Sequence, residues 1–164
     1  MSRLSVVCLV VSIGICSAVP IEVTASSAFE RETSKAIYVL LNQYRVKNQL
    51  PPLMENAVLA RVAQNFAAVM ASKDKLDHFA DGNDPGERMR DAGYNWCSFA
   101  ENIARSTAEL SGSRMAKSFM QTWINSPGHR ANMLKDGIRD VGIGIASNGR
   151  GRFYAVQTFG RLGC

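Results

Sequence analysis

Between Ser26 and Lys47 the apolar residues Phe29, Ile37, Leu40, Leu41 and Tyr44 recur at three- and four-residue steps, the period of a helix with one buried face. Pro51 and Pro52 then interrupt the chain, since neither ring offers an N–H to a helix. A cleaner stripe follows, in which Leu59, Val62, Ala63, Phe66, Ala67 and Met70 stand at i, i+3, i+4 and i+7 spacing and predict a second helix. Asp84 as a cap, Pro85 at the first helical position, Glu87 three residues after Asp84 and Gly93 as a left-handed stop predict a third, short helix with its core from Gly86 to Ala92. From Ser113 onward Met115, Phe119, Met120 and Trp123 form another helical face. Ser126-Pro127 restarts the chain into a short helical segment that carries His129 and stops near Gly137.

The pattern then changes. Val141 to Ala146 and Phe153 to Phe159 are rich in β-branched and aromatic residues and flank the turn-forming stretch Ser147-Asn148-Gly149-Arg150-Gly151, which predicts a β-hairpin. Phe99 to Ala104 alternates weakly and reads as either a strand edge or a loop. Helices early and strands late, without regular βαβ alternation, predict an α+β domain with helices packed on a mainly antiparallel sheet.

The first residues have a different character. Arg3 precedes an apolar stretch from Leu4 to Cys16, followed by the small residues Ser17 and Ala18. The run is shorter than the roughly 18 to 20 apolar residues a membrane span requires, so a secretory signal peptide over residues 1–18 is expected rather than a transmembrane anchor. Cleavage after Ala25 is the alternative. Ile15 before Cys16 disfavours a lipid anchor there. Residues 19–29 then form a short lead and 30–164 a single domain, long enough for a hydrophobic core without a dense disulfide scaffold.

Cys8 and Cys16 leave with the leader, and Cys97 and Cys164 enter an oxidising compartment where pairing is the expected outcome. A disulfide closing so long a loop stabilises by about 4 kcal/mol in the chain-entropy model. The rival reading is a free catalytic Cys97, which leaves Cys164 without a role. The net charge of +5 owes something to Arg150, Arg152 and Arg161, read as a solvated hairpin tip. No aromatic interleaving or nucleic-acid motif accompanies them, so no nucleic-acid partner is expected.

Histidine serves both as a neutral metal ligand and as a proton carrier near neutral pH, and this chain has two, His78 and His129. Their spacing is not that of a local metal motif. Gly142-x-Gly144 lacks the further glycine and helix of a phosphate cradle, and the mature chain contains no G-x-S-x-G, H-E-x-x-H or C-x-x-C sequence.

Three stretches taken together carry a resemblance: Asp77-His78-Phe79, Ala100-Glu101-Asn102-Ile103-Ala104, and Trp123-Ile124-Asn125-Ser126-Pro127-Gly128-His129-Arg130-Ala131-Asn132-Met133-Leu134. They resemble the CAP superfamily, also called SCP-like, of secreted cysteine-rich secretory, antigen 5 and pathogenesis-related 1 proteins, and especially its microbial members. The likeness runs from Leu41-Asn42-Gln43-Tyr44-Arg45 through Asp91-Ala92-Gly93-Tyr94 to the strands around Val141 and Phe159. It implies a three-layer α-β-α sandwich with a cleft lined by His78, Glu101 and His129, a site that holds zinc or another divalent cation in some members. Many relatives carry a second acid three residues after the tryptophan; here Ser126 stands in that place. Two imidazoles and one carboxylate can hold a zinc ion with water in an open position, but with fewer negative ligands the hold weakens, and Asp77, Asn125 and Asp81 are the candidates to contribute.

Two functional readings follow. The first is a secreted, monomeric, non-enzymatic protein that binds an extracellular lipid, sterol or peptide, with His78, Glu101 and His129 as ligand-binding residues. The second is a metal-dependent, protease-like hydrolase in which a cation on His78 and His129 activates water and Glu101 orients it. Arg130 and Asn132 are expected to hold the His129 segment by hydrogen bonds, and Trp123 to belong to the core.

Overall fold

The computed structural model describes residues 27–108 and 110–163; the expected leader and Cys164 lie outside them. Five helices, α1 (Ala28–Lys47), α2 (Ala57–Lys73), α3 (Pro85–Asp91), α4 (Gly112–Asn125) and α5 (Pro127–Met133), accompany four strands, β1 (Met54–Glu55), β2 (Trp96–Ser106), β3 (Asp140–Ser147) and β4 (Phe153–Leu162). The strands form one sheet in the order β1-β3-β4-β2, in which β3–β4 and β4–β2 are antiparallel and β1–β3 is parallel. The ambiguous stretch Phe99 to Ala104 is thus the middle of an eleven-residue edge strand.

The period-two alternation of the strands sorts side chains into two layers. Val141, Ile143, Ile145, Ala155, Phe159, Ala100 and Ala104 join the core beneath α1 and α4. On the opposite face Tyr154, Val156, Ala146 and Ile103 meet Ala63, Phe66, Ala67 and Met70 of α2. The result is the α-β-α sandwich. The alternating small residues of β3 have a packing cause: a Cβ on Gly142 would lie 2.1 Å from the backbone of Leu59, and one on Gly144 would lie 2.2 Å from that of Ala63. The helix backbone rests directly on the strand, and Gln64 fastens it by bonding both the N–H and the C=O of Ile145, at 3.1 and 2.8 Å.

Helix boundaries follow the capping signals. Ser27 with Glu30, and Asp84 with Glu87, form reciprocal capping boxes, and Gly93 takes the left-handed conformation with φ of 90°. The first helix begins at Ala28, slightly ahead of the expected domain start at 30. The hairpin tip differs from expectation. Arg152, Asn148 and Tyr154 all bond Asp74, the left-handed residue that ends α2, so the tip is pinned to a helix end rather than merely solvated.

Along β2 the carbonyls of Phe99, Glu101 and Ile103 accept from Lys135 Nζ, Asn132 Nδ2 and Trp123 Nε1, at 3.1, 3.2 and 3.2 Å. Alternate carbonyls of the edge strand are therefore satisfied by side chains reaching over from α4, α5 and the segment after it. No helix among the described residues is long and apolar enough to cross a membrane.

Candidate functional site

Glu101 is placed by β2, whose alternation turns its side chain toward the layer of α2 and α3; only 2% of that side chain is exposed. His78 lies on the turn after α2, with its side chain 40% exposed. Its Nδ1 is 2.8 Å from Glu101 Oε1. A carboxylate accepts, so Nδ1 carries the proton and Nε2 is left for other partners. His78 and Glu101, which the resemblance implies share a cleft, are in direct contact.

His129 is brought to the same edge of the sheet by α5. The Asn102 amide donates to the His129 carbonyl at 3.0 Å and to Gln157 Oε1 at 3.0 Å, while Asn132 donates to Asn102 Oδ1 at 2.9 Å. Arg130 Nη1 donates to Ile124 O at 2.9 Å, binding α5 back to α4. Arg130 and Asn132 thus hold this segment, and Trp123 is fully buried. The His129 Nδ1 is buried and has no hydrogen-bond partner among the described residues. Burial pushes the His129 pKa below its ordinary value, and the nearby His78 adds to the shift, because both disfavour the charged ring.

Sequence reasoning missed Arg88. Its Nη2 donates to both oxygens of Glu101, at 2.9 and 2.8 Å. Its Nη1 donates to the carbonyls of His78 and Asn83, at 3.0 and 2.8 Å, and to Asp81 Oδ1 at 3.0 Å. The guanidinium also lies 3.5 Å from the centre of the Phe66 ring, a favourable cation–π placement. One arginine thereby neutralises the buried acid, fixes the loop that carries His78 and packs on α2.

This changes what the cleft can hold. Glu101 accepts three hydrogen bonds on two oxygens. Of the residues expected to supplement it, Asp81 pairs with Arg88, Asp77 with Lys75 at 2.6 Å, and Asn125 accepts from Gln121 at 2.8 Å. Among the described residues no group of three or more His, Cys, Asp or Glu side chains is arranged to hold a metal ion. Two imidazoles and an acid already paired with a guanidinium are a poor match for a divalent cation, which favours anionic or several convergent donors.

The family model described as CAP, the cysteine-rich secretory protein family, matches residues 38–159. The chain belongs to this family. Its CAP domain is 29% identical over 124 residues to the uncharacterized protein YkwD of Bacillus subtilis (strain 168), an alignment covering 75% of this chain and 44% of that protein. The chain therefore spans less than half the length of that curated relative. An extracellular protein containing an SCP domain from Bacillus anthracis str. Ames matches with a TM-score of 0.70 at 26% identity, over 81% of this chain and 41% of that one. An outer surface protein from Borrelia burgdorferi shares the CAP fold, with a TM-score of 0.71 at 20% identity over 81% of this chain and 95% of its own. The structural relatives thus include extracellular and outer-surface proteins.

Proposed function

We propose that this CAP domain is a secreted binding protein for an anionic, single-chain lipid, which it takes in the groove between α1 and α4. The observation that carries this reading is an apolar hollow of about 380 Å³, floored by Leu40, Tyr44, Met120 and Ile124 and edged by Lys47 and Lys117. An adjoining hollow shares Leu40, Gln43 and Lys117 and extends past Val39 to Lys35 and Glu32. Val39 is 45% exposed and Val46 59% exposed on the same helix. Pockets of this size, mostly apolar with a few charged groups at the rim, suit a small amphiphile. The lysines supply the complement to a carboxylate or phosphate headgroup.

The hydrolase reading has less support, because both oxygens of Glu101 are occupied by Arg88 and His78. The cleft of His78, Glu101 and His129 is read instead as a small polar recess for hydrogen-bonding groups. Secretion is proposed on the signal peptide expected over residues 1–18. The Cys97–Cys164 disulfide is favoured by register: Trp96 pairs with Leu162, which brings the neighbour of Cys97 beside the end of β4, two residues short of Cys164.

Titration with a fluorescent long-chain fatty acid tests the proposal, with a sterol and a mixed peptide pool as parallel arms. Saturable fatty-acid binding is expected, weakened at least tenfold by Leu40→Asp. Lys117→Glu should weaken the acid but not the corresponding fatty alcohol. Saturable sterol or peptide binding without fatty-acid binding would overturn the lipid assignment, and no binding in any arm would overturn the groove as a site.

A further inference from the structure

Beyond the groove and independent of it, we propose that Asn148 is a self-modification site: it deamidates through Gly149, and Asp74 is the latch that sets the rate. The product is a carboxylate facing Asp74, which unpins the hairpin tip from the end of α2.

The chain contains one Asn-Gly pair, Asn148-Gly149, and the fold places it at the tip between β3 and β4, with Gly149 exposed and at φ of 69°. A glycine after an asparagine has no side chain to shield its backbone nitrogen. That nitrogen attacks Cγ of Asn148. The N–Cγ bond forms as the amide proton leaves, the Cγ–Nδ2 bond breaks, and Nδ2 departs as ammonia from a five-membered succinimide. Water then opens the ring at either carbonyl, leaving aspartate or its β-linked isomer isoaspartate. The conversion is a hydrolysis of one amide and consumes no oxidant, reductant or cofactor.

The native fold restrains each group in this reaction. Asn148 Oδ1 accepts from the backbone N–H groups of Arg150 and Arg152, at 2.8 and 3.1 Å, and the Gly149 N–H donates to Ser147 Oγ at 3.1 Å. These are local turn bonds that travel with the hairpin. The bond from Asn148 Nδ2 to Asp74 Oδ1, at 3.2 Å, is different. It ties the leaving group to the end of α2, where Asp74 is itself fixed by the Tyr154 hydroxyl at 2.5 Å and by Arg152. While that bond stands, the side chain does not turn to the Gly149 nitrogen.

Deamidation replaces the N–H donor at this place with a carboxylate oxygen, at hydrogen-bond distance from another carboxylate, so like charges repel where a hydrogen bond held. Arg150 offers little compensation, because its side chain is 71% exposed and reaches Asp74 only at 3.9 Å. In the isoaspartate product the extra backbone methylene displaces the turn as well.

The experiment incubates the native chain, Asp74→Ala and Asp74→Asn at mildly alkaline pH and maps amide-to-acid conversion by peptide mass spectrometry, with the native chain unfolded in guanidinium chloride as the unrestrained reference. The folded native chain is expected to deamidate at Asn148 before any other asparagine, at least tenfold more slowly than when unfolded. Asp74→Ala should close most of that gap, whereas Asp74→Asn, which keeps an acceptor for Nδ2, should not. The deamidated fraction, separated by its extra negative charge, should exchange its amide hydrogens over residues 147–152 faster than the unmodified fraction. A first product at another asparagine would overturn the site. Equal rates in the folded and unfolded native chain, or a folded Asp74→Ala no faster than native, would overturn the latch, and unchanged exchange in the deamidated fraction would overturn the unpinning. If Asp74→Ala does not fold, Tyr154→Phe, which removes the anchor of the latch and keeps Asp74, takes its place: faster deamidation at Asn148 supports the proposal and an unchanged rate overturns it. These outcomes leave lipid binding between α1 and α4 untouched, so the two readings fail separately.

Discussion

A single nitrogen of Arg88, Nη2, lies 2.9 Å from one carboxylate oxygen of Glu101 and 2.8 Å from the other, and Nη1 of the same guanidinium reaches back to the carbonyl of His78. The acid of the cleft and the loop bearing its first histidine are thus held by one side chain from α3. Breaking such a buried pair on one side leaves the other charge without compensation, at a cost of about 3–5 kcal/mol. Arg88→Met is expected to lose that much in urea unfolding, whereas Arg88→Met/Glu101→Leu should lose clearly less than Arg88→Met alone. Equal losses in the two variants would mean the pair is not the stabilising unit.

His129 gives a pH signature. In the unfolded chain it takes up its proton near the ordinary value of 6.5, and in the fold only at lower pH, because burial and the neighbouring His78 disfavour the charged ring. Below 6.5 the unfolded state therefore binds more protons than the folded one. The stability held above that pH is lost as pH falls toward the folded value. An NMR titration should place the His129 midpoint below 6.5, and the stability lost between about pH 7 and about pH 5.5 should be smaller in His129→Gln than in the native chain.

Gly144 faces the backbone of Ala63 so closely that an added methyl has no room. Gly144→Ala should destabilise by about 3 kcal/mol or more, at the upper end of overpacking effects, measured by chemical denaturation. By contrast, Gly128, around which a Cβ would meet nothing within 4 Å, should accept alanine with little change.

The proposed Cys97–Cys164 bond is tested by counting thiols on the unfolded, unreduced secreted protein. None is expected. Reduction should lower stability by about 2–4 kcal/mol, and two reactive thiols would remove the disulfide from the account.

Much of this was legible in the chain, for physical reasons that differ by element. The α2 stripe was readable because every residue in it is apolar and buried, and α3 because its caps use side chains specific to helix ends. The two-residue strand β1 leaves no periodic trace. Arg88 was missed because a charged residue in a short polar helix ordinarily faces solvent, yet its place carried a signal: it follows Pro85 by three residues and precedes Met89, and all three are buried. Arg45 is a parallel case. It continues the four-residue stripe of Thr33, Ile37 and Leu41, and it donates to the carbonyls of Pro51 and Met133, at 3.0 and 2.8 Å, from full burial. In both, the position on the helix spoke for burial while the residue type spoke against it.

The side chains of Lys135, Asn132 and Trp123 along β2 have a consequence for how copies of this chain meet. An uncovered edge strand is an invitation for a second copy to add its own strand and so begin an aggregate. Here the lateral bonding sites at Phe99, Glu101 and Ile103 are already taken, by residues of the same segments that deliver His129 to the cleft. The contacts that assemble the recess also keep neighbouring molecules from zipping together, so a change that loosens α5 should show itself as self-association as readily as a damaged site.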